Sequence, residues 1–326
     1  MARVGLVLGA GGTLGFAYHA GTLAALAEAT GWDPRTADVV VGTSAGSIAA
    51  SLLRAGLSAG DLAARTTGEP LTPEGRLLAS RLGQPVPTRA RIPRPPRPGA
   101  GSTALLRRAL LRPGSVRLGA AVAAALPPGT RPTEMIVSDL RGLLGSSWPD
   151  RPTWICAVRL DDGARVVFGA AGAPPADWSD AVAASCAIPS FFQPVEIGVR
   201  SYVDGGAYSA TNLDVLAGRG LDLVVVTAPM SARADSLRPS LDLPLRAASA
   251  ARLAAEVGAV RRRGTPVLVL HPTAADRRVM GLNMMDAGRR RAVTVQARES
   301  GLEWLRRPDV RRQLGPVLRG GSAERS

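Results

Sequence analysis

The feature that most constrains this chain is a unit written twice in its first 53 residues. A short apolar run ends in a glycine cluster and passes at once into a helix-periodic stretch. Residues 4–8 stop at Gly9-Ala10-Gly11-Gly12-Thr13-Leu14-Gly15 and lead into the apolar pattern of residues 16–29. Residues 38–41 stop at Gly42-Thr43-Ser44-Ala45-Gly46 and lead into a second helical stretch through Leu53. Runs this short, rich in valine and leucine and bounded by glycine, suit buried strands rather than helices. Further strand candidates follow at 153–160, 165–168, 221–226 and 266–270, with helical stretches between several of them. The alternation predicts an α/β protein: a mainly parallel sheet with helices on both faces.

Between residues 70 and 132 the strand signals vanish, and prolines crowd with arginines at 85–98. This segment reads as an insertion or lid within a single domain spanning residues 1–315, followed by a disordered tail at 316–326. Within it, Leu105, Leu106, Ala109 and Leu110 beside Arg107, Arg108 and Arg112 describe a short basic helix. Such a helix either lies on a membrane surface or packs on the domain with its arginines in water.

Composition removes several chemistries. All 40 basic residues are arginine, so a lysine Schiff base, a Walker A lysine and a Ser-Lys dyad are excluded. The net charge of +14 suits an anionic partner, but scattered arginines and 4% aromatic content argue against nucleic acid and read as a solvated arginine face, with an anionic membrane as the compromise between the two. Two cysteines, Cys156 and Cys186, supply neither a disulfide framework nor a zinc site and read as buried thiols, so no metal is expected. No apolar run approaches the roughly 18 residues of a spanning helix, and the N-terminus lacks the parts of a signal peptide. The expected location is cytoplasmic, with peripheral membrane contact.

The candidate chemistry sits at the ends of the strands. Gly42-Thr43-Ser44-Ala45-Gly46 stands where a strand turns into a helix, as a nucleophile elbow requires: a strained turn holds the Ser44 hydroxyl at the helix N-terminus, and Gly42 and Gly46 admit the neighbouring chain. The loop Gly9 to Gly15 has two readings. It departs from a dinucleotide fingerprint at Leu14, and the next strand ends in Ser44 where a ribose-binding acid belongs. As an oxyanion hole, it offers the backbone amides of Gly11, Gly12 and Thr13. The base for Ser44 is open between two residues. Asp204, in Asp204-Gly205-Gly206, can accept the serine proton directly. His271, after the strand at 266–270, would complete a serine–acid–histidine order, whereas His19 reads as a core or cap residue.

In order and spacing, the glycine loop, Gly42-Thr43-Ser44-Ala45-Gly46 and Asp204-Gly205-Gly206 resemble the three motifs of patatin-like phospholipases. The stretch from Ala184 to Val195 is similar to that family's approach to its aspartate, and Asn212 follows as in the family. The resemblance implies an α/β/α sandwich, a Ser44–Asp204 dyad, a glycine-loop oxyanion hole, no cofactor, and hydrolysis of acyl esters, commonly in lipids. Leu14 stands where family members often carry arginine or lysine, which broadens the expected substrate to lipid or other acyl esters. An acyltransferase or thioesterase sharing the acyl-enzyme, and a non-catalytic lipid-binding protein on the same fold, are the remaining readings.

Overall fold

The computed structural model describes residues 2–82, 101–111, 116–144, 147–232 and 241–315. The proline-rich run at 85–98, Arg112 and the tail at 316–326 lie outside the described residues. In chain order, β1 (Val4–Leu8), α1 (Gly12–Thr30), β2 (Val39–Thr43) and α2 (Ala45–Arg54) realise the doubled unit of the sequence. Helices α3 (Ala59–Thr67), α4 (Pro73–Ala79), α5 (Thr103–Leu111), α6 (Leu118–Ala125) and α7 (Glu134–Leu144) follow. Next come β3 (Thr153–Arg159), β4 (Arg165–Phe168), α8 (Trp178–Ser185), β5 (Val195–Ile197), β6 (Arg200–Asp204) and β7 (Leu223–Thr227). The chain continues with α9 (Leu243–Arg261), β8 (Val267–Leu270), α10 (Ala274–Met280), α11 (Arg290–Leu305) and α12 (Pro308–Gln313).

The strands form one sheet in the order β5-β6-β3-β2-β1-β7-β8, with β4 also paired to β3. From β3 through β8 every neighbour on this path is parallel, whereas β4, β5 and β6 pair antiparallel. The mostly apolar central strands are buried on both faces, and their side chains divide with period two. Val4, Leu6 and Leu8 of β1 join Val225 of β7 and Leu23 and Leu26 of α1 in one core; Val7 joins Val224, Val226 and Leu253 of α9 in another. Each such buried valine or leucine contributes about 1.5–3 kcal/mol. Helix α1 is buried nearly all round because α11 packs on its far side. It ends at Gly31, whose left-handed φ of 69° lets its N–H bond the Ala27 carbonyl.

Register places the chemistry. Residues 155 and 156 of β3 pair with both β2 and β4, and residues 157 and 158 pair with both β4 and β6. Strands β2 and β6 therefore share one edge of β3 and meet end to end, with Thr43 opposite Cys156 and Asp204 opposite the next residue, Ala157. The antiparallel hairpin of β5 and β6 has a weak sequence signal: β5 has three residues, none of them buried.

The described part of the predicted insertion is helical and docked. Leu105 of α5 and Ala120 and Ala124 of α6 are buried with Val158, Leu160 and Val203 at the ends of β3 and β6. Arg107, Arg108, Leu110 and Leu111 of α5 are exposed, the two leucines 79% and 68%. Among the described residues no helix is long and apolar enough to cross a membrane.

Candidate active site

Ser44 links β2 to α2 with φ 53° and ψ −123°, a region that costs a non-glycine residue about 1–3 kcal/mol. The surroundings enforce it. A Cβ at position 46 would stand 1.9 Å from the Leu8 carbonyl oxygen, and one at position 42 would stand 2.6 Å from the Ser47 Cα. The flanking glycines are thus required by close approach of chain, as the elbow pattern predicts. Past the end of β2 the ladder is continued by a side chain: the Ser44 N–H donates to Ser185 Oγ (2.9 Å), which donates to the Cys156 carbonyl (2.7 Å).

Asp204 closes β6 and is 6% exposed. Its Oδ1 accepts the Gly206 N–H at 2.7 Å. Burial pushes the carboxyl from its ordinary 3.8 up to about 6, against the opposing pull of the nearby Ser44 side chain and the Gly206 N–H. The turn that follows is tied back to the elbow by buried Asn212, whose Nδ2 donates to Thr43 Oγ1 (3.1 Å) and to the Ser209 carbonyl (2.8 Å). Asn212 holds a left-handed φ of 53°, a conformation that asparagine tolerates better than most residues.

The glycine loop lies beside both. Ala10 packs next to Gly206, and Gly15 next to Ala45. Helix α1 begins at Gly12, where φ is +60°. The Gly15 N–H bonds the Gly11 carbonyl (2.8 Å) and the Leu14 N–H bonds the Met284 carbonyl (2.9 Å). Among the described residues the amides of Gly11, Gly12 and Thr13 have no acceptor. Three open amides at the positive end of a 19-residue helix form a cradle for negative charge. The structure therefore brings together every residue singled out from the three motifs: Ser44, Asp204, Gly11, Gly12 and Thr13, with Gly9, Gly15, Gly42, Gly46, Gly205 and Gly206 as their frame.

It does not bring His271 to them. Strand β8 is three places from β2, about 14 Å at ~4.8 Å per strand. His271 Nδ1 instead bonds Ser231 Oγ at 2.7 Å. Both cysteines are buried free thiols, and burial pushes Cys156 up to about 12 and Cys186 higher still. Among the described residues no cluster of His, Cys, Asp or Glu could hold a metal ion.

Supporting residues were less visible in the sequence. Pro229 packs against Gly11 and Gly15, and the Met284-Met285 segment packs against Gly12. Arg246 of α9, 1% exposed and ion-paired with Asp242, fastens both segments. Its Nη1 donates to the Pro229 carbonyl (2.9 Å) and its Nη2 reaches Met284 Sδ (3.7 Å). His19 is fully buried, with Nε2 2.7 Å from the Gly9 carbonyl and Nδ1 2.5 Å from Thr227 Oγ1. The available signal for His19 was spacing: it lies seven residues after Gly12, on the same face of α1. Arg246, Pro229 and Met284 come from distant segments, and no local pattern announces them.

Among solved structures, the chain is similar to VipD from Legionella pneumophila, at 15% identity and a TM-score of 0.41, over 93% of this chain and 66% of that one. It is also similar to the type III effector protein ExoU, at 19% identity and a TM-score of 0.37, over 96% of this chain and 54% of that one. This chain thus spans about two thirds and about half the length of those two proteins. No curated protein matches the sequence. The family model of the patatin-like phospholipases matches residues 6–217, a span that contains the glycine loop, the Ser44 elbow, Asp204 and Asn212. The chain belongs to the patatin-like phospholipase family.

Proposed function

We propose that this protein is a serine acyl hydrolase that cleaves carboxylic esters of lipids through an acyl-enzyme on a Ser44–Asp204 dyad. The observation that carries the reading is the end-to-end meeting of β2 and β6 along β3, which sets buried Ser44 beside buried Asp204, whose carboxyl is raised by burial to about 6. A base of that strength is ionised at neutral pH yet strong enough to take a proton from an attacking hydroxyl. In the first step Asp204 accepts the Ser44 proton as Oγ bonds to the ester carbonyl carbon, and the carbonyl oxygen becomes an oxyanion on the amides of Gly11, Gly12 and Thr13. Collapse breaks the ester C–O bond, and Asp204 returns the proton to the leaving alcohol. Water then attacks the acyl-enzyme, giving its proton to Asp204, and release of the carboxylic acid restores Ser44. The strained backbone of Ser44 keeps its hydroxyl at the strand end at a cost met by packing around the elbow.

The separation of β8 from β2 and the His271–Ser231 bond favour the dyad over a triad with His271. Exposed Leu110 and Leu111 beside exposed Arg107 and Arg108 support peripheral contact of α5 with an anionic lipid surface. The direct test is fatty-acid release from a mixed panel of phospholipids, glycerides and simple esters. Release by the wild-type chain and its loss in Ser44→Ala are expected; release that persists in Ser44→Ala refutes the reading.

A further inference from the structure

We infer that His19 is a positioning residue for this reaction: by donating its Nε2–H to the Gly9 carbonyl, it fixes the entry of the glycine loop and so the place of the Gly11, Gly12 and Thr13 amides that face the oxyanion. The inference rests on the Ser44 reading above.

In an α-helix each N–H bonds the carbonyl four residues back. The first such bond of α1 is Gly15 to Gly11. The amides before it have no carbonyl within the helix to bond, because the chain turns into α1 through Gly11 and Gly12, the latter at φ +60°. The Leu14 N–H goes to Met284, and the Gly9 carbonyl is taken by His19 Nε2 at 2.7 Å. The Thr13 amide is left without an acceptor among the described residues.

The ring is held at both nitrogens. Nε2 faces a carbonyl and so must carry the proton, which makes Nδ1 the acceptor from the Thr227 hydroxyl at 2.5 Å. Thr227 ends β7 opposite Leu8, and its carbonyl accepts the Gly9 N–H at 3.0 Å. Gly9 is therefore fixed through its N–H by β7 and through its carbonyl by His19. An apolar side chain of similar size fills the same space but leaves the buried Gly9 carbonyl without its donor, so the loop that carries the three amides is free to shift.

The test compares the full-length wild type with His19→Leu, His19→Gln and Thr227→Val. A fluorophosphonate, carried to its end point, counts the sites labelled at Ser44. Turnover of a chromogenic ester is then expressed per labelled site, and affinity for a trifluoromethyl ketone reports on the oxyanion cradle. In His19→Leu the expected result is a fall in kcat per site of about 10- to 100-fold with KM within about threefold, as for a weakened oxyanion donor. Ketone affinity falls in parallel. His19→Gln keeps a donor for Gly9 and recovers most of the loss, and Thr227→Val, which only frees the ring, falls between wild type and His19→Leu. A purely structural role lowers the number of labelled sites and leaves kcat per site unchanged; that result overturns the inference. If His19→Leu does not fold, Thr227→Val decides by the same criterion. A wild type that is active but unlabelled at Ser44 refutes the parent reading and the inference with it, and so is distinct from failure of the His19 role alone.

Discussion

Replacing Asp204 by asparagine should stabilise the protein while stopping its reaction, and the size of the gain follows from burial. The carboxyl is pushed from 3.8 to about 6 because the folded chain takes it out of water. The folded state then binds the Asp204 proton more tightly than the unfolded state does. Its contribution to stability is greatest at low pH, is lost as pH rises from about 4 to about 6, and changes no further above that. At about 1.4 kcal/mol per pH unit, ionised Asp204 costs the fold about 3 kcal/mol at pH 8. Asparagine keeps an acceptor for the Gly206 N–H and carries no charge. Urea denaturation of wild type and Asp204→Asn should show the variant more stable by about 2–3 kcal/mol at pH 8, about half of that at pH 5, and nearly equal at pH 4. Ester turnover by the variant should fall by at least about 100-fold at pH 8 and approach that of wild type as pH falls toward 4. A variant that is less stable at pH 8, or a difference that stays constant from pH 4 to 8, refutes the claim that buried charge at Asp204 is held at the expense of the fold.

The same carboxyl sets a pH profile: kcat/KM is full above about pH 6 and falls about tenfold per unit below it as Asp204 gains its proton, which a stopped assay from pH 4 to 8 will read. His271→Ala, which removes a partner of Ser231, should leave ester turnover within about threefold of wild type, whereas a loss comparable to Asp204→Asn restores the triad. Leu110→Glu with Leu111→Glu should weaken sedimentation with anionic vesicles at least about tenfold without changing turnover of a water-soluble ester; unchanged binding removes α5 as the contact.

Much of the site was legible because its chemistry is local. A nucleophile elbow needs small residues two positions either side of Ser44, and the contacts of Gly42 and Gly46 with Ser47 and Leu8 give the reason in distances. The parallel centre of the sheet was legible for a similar reason, since β1, β2, β7 and β8 are uninterrupted apolar runs buried on both faces. The hairpin of β5 and β6 was not, because three half-exposed residues carry no period. That hairpin nonetheless turns Asp204 to meet Ser44 head to head along β3, so the pairing of nucleophile and base came from motif resemblance rather than pattern. Arg246 and His19 were illegible as functional residues for a different cause. One buried cation on α9 and one histidine on α1 acquire meaning only from backbone carbonyls that folding brings beside them. Residues 105–111 divide into two faces. Leu105 is buried on the ends of β3 and β6, while Leu110 and Leu111 stay in solvent with Arg107 and Arg108.

The central claim is a covalent acyl-enzyme on Ser44. Rapid-quench mass spectrometry of the wild-type chain mixed with a chromogenic short-chain ester tests it most directly. One acyl group on the peptide carrying Ser44 is expected, formed with the burst of alcohol and lost at the steady-state rate. Turnover with no acylated Ser44, or an acyl group on a different residue, contradicts it.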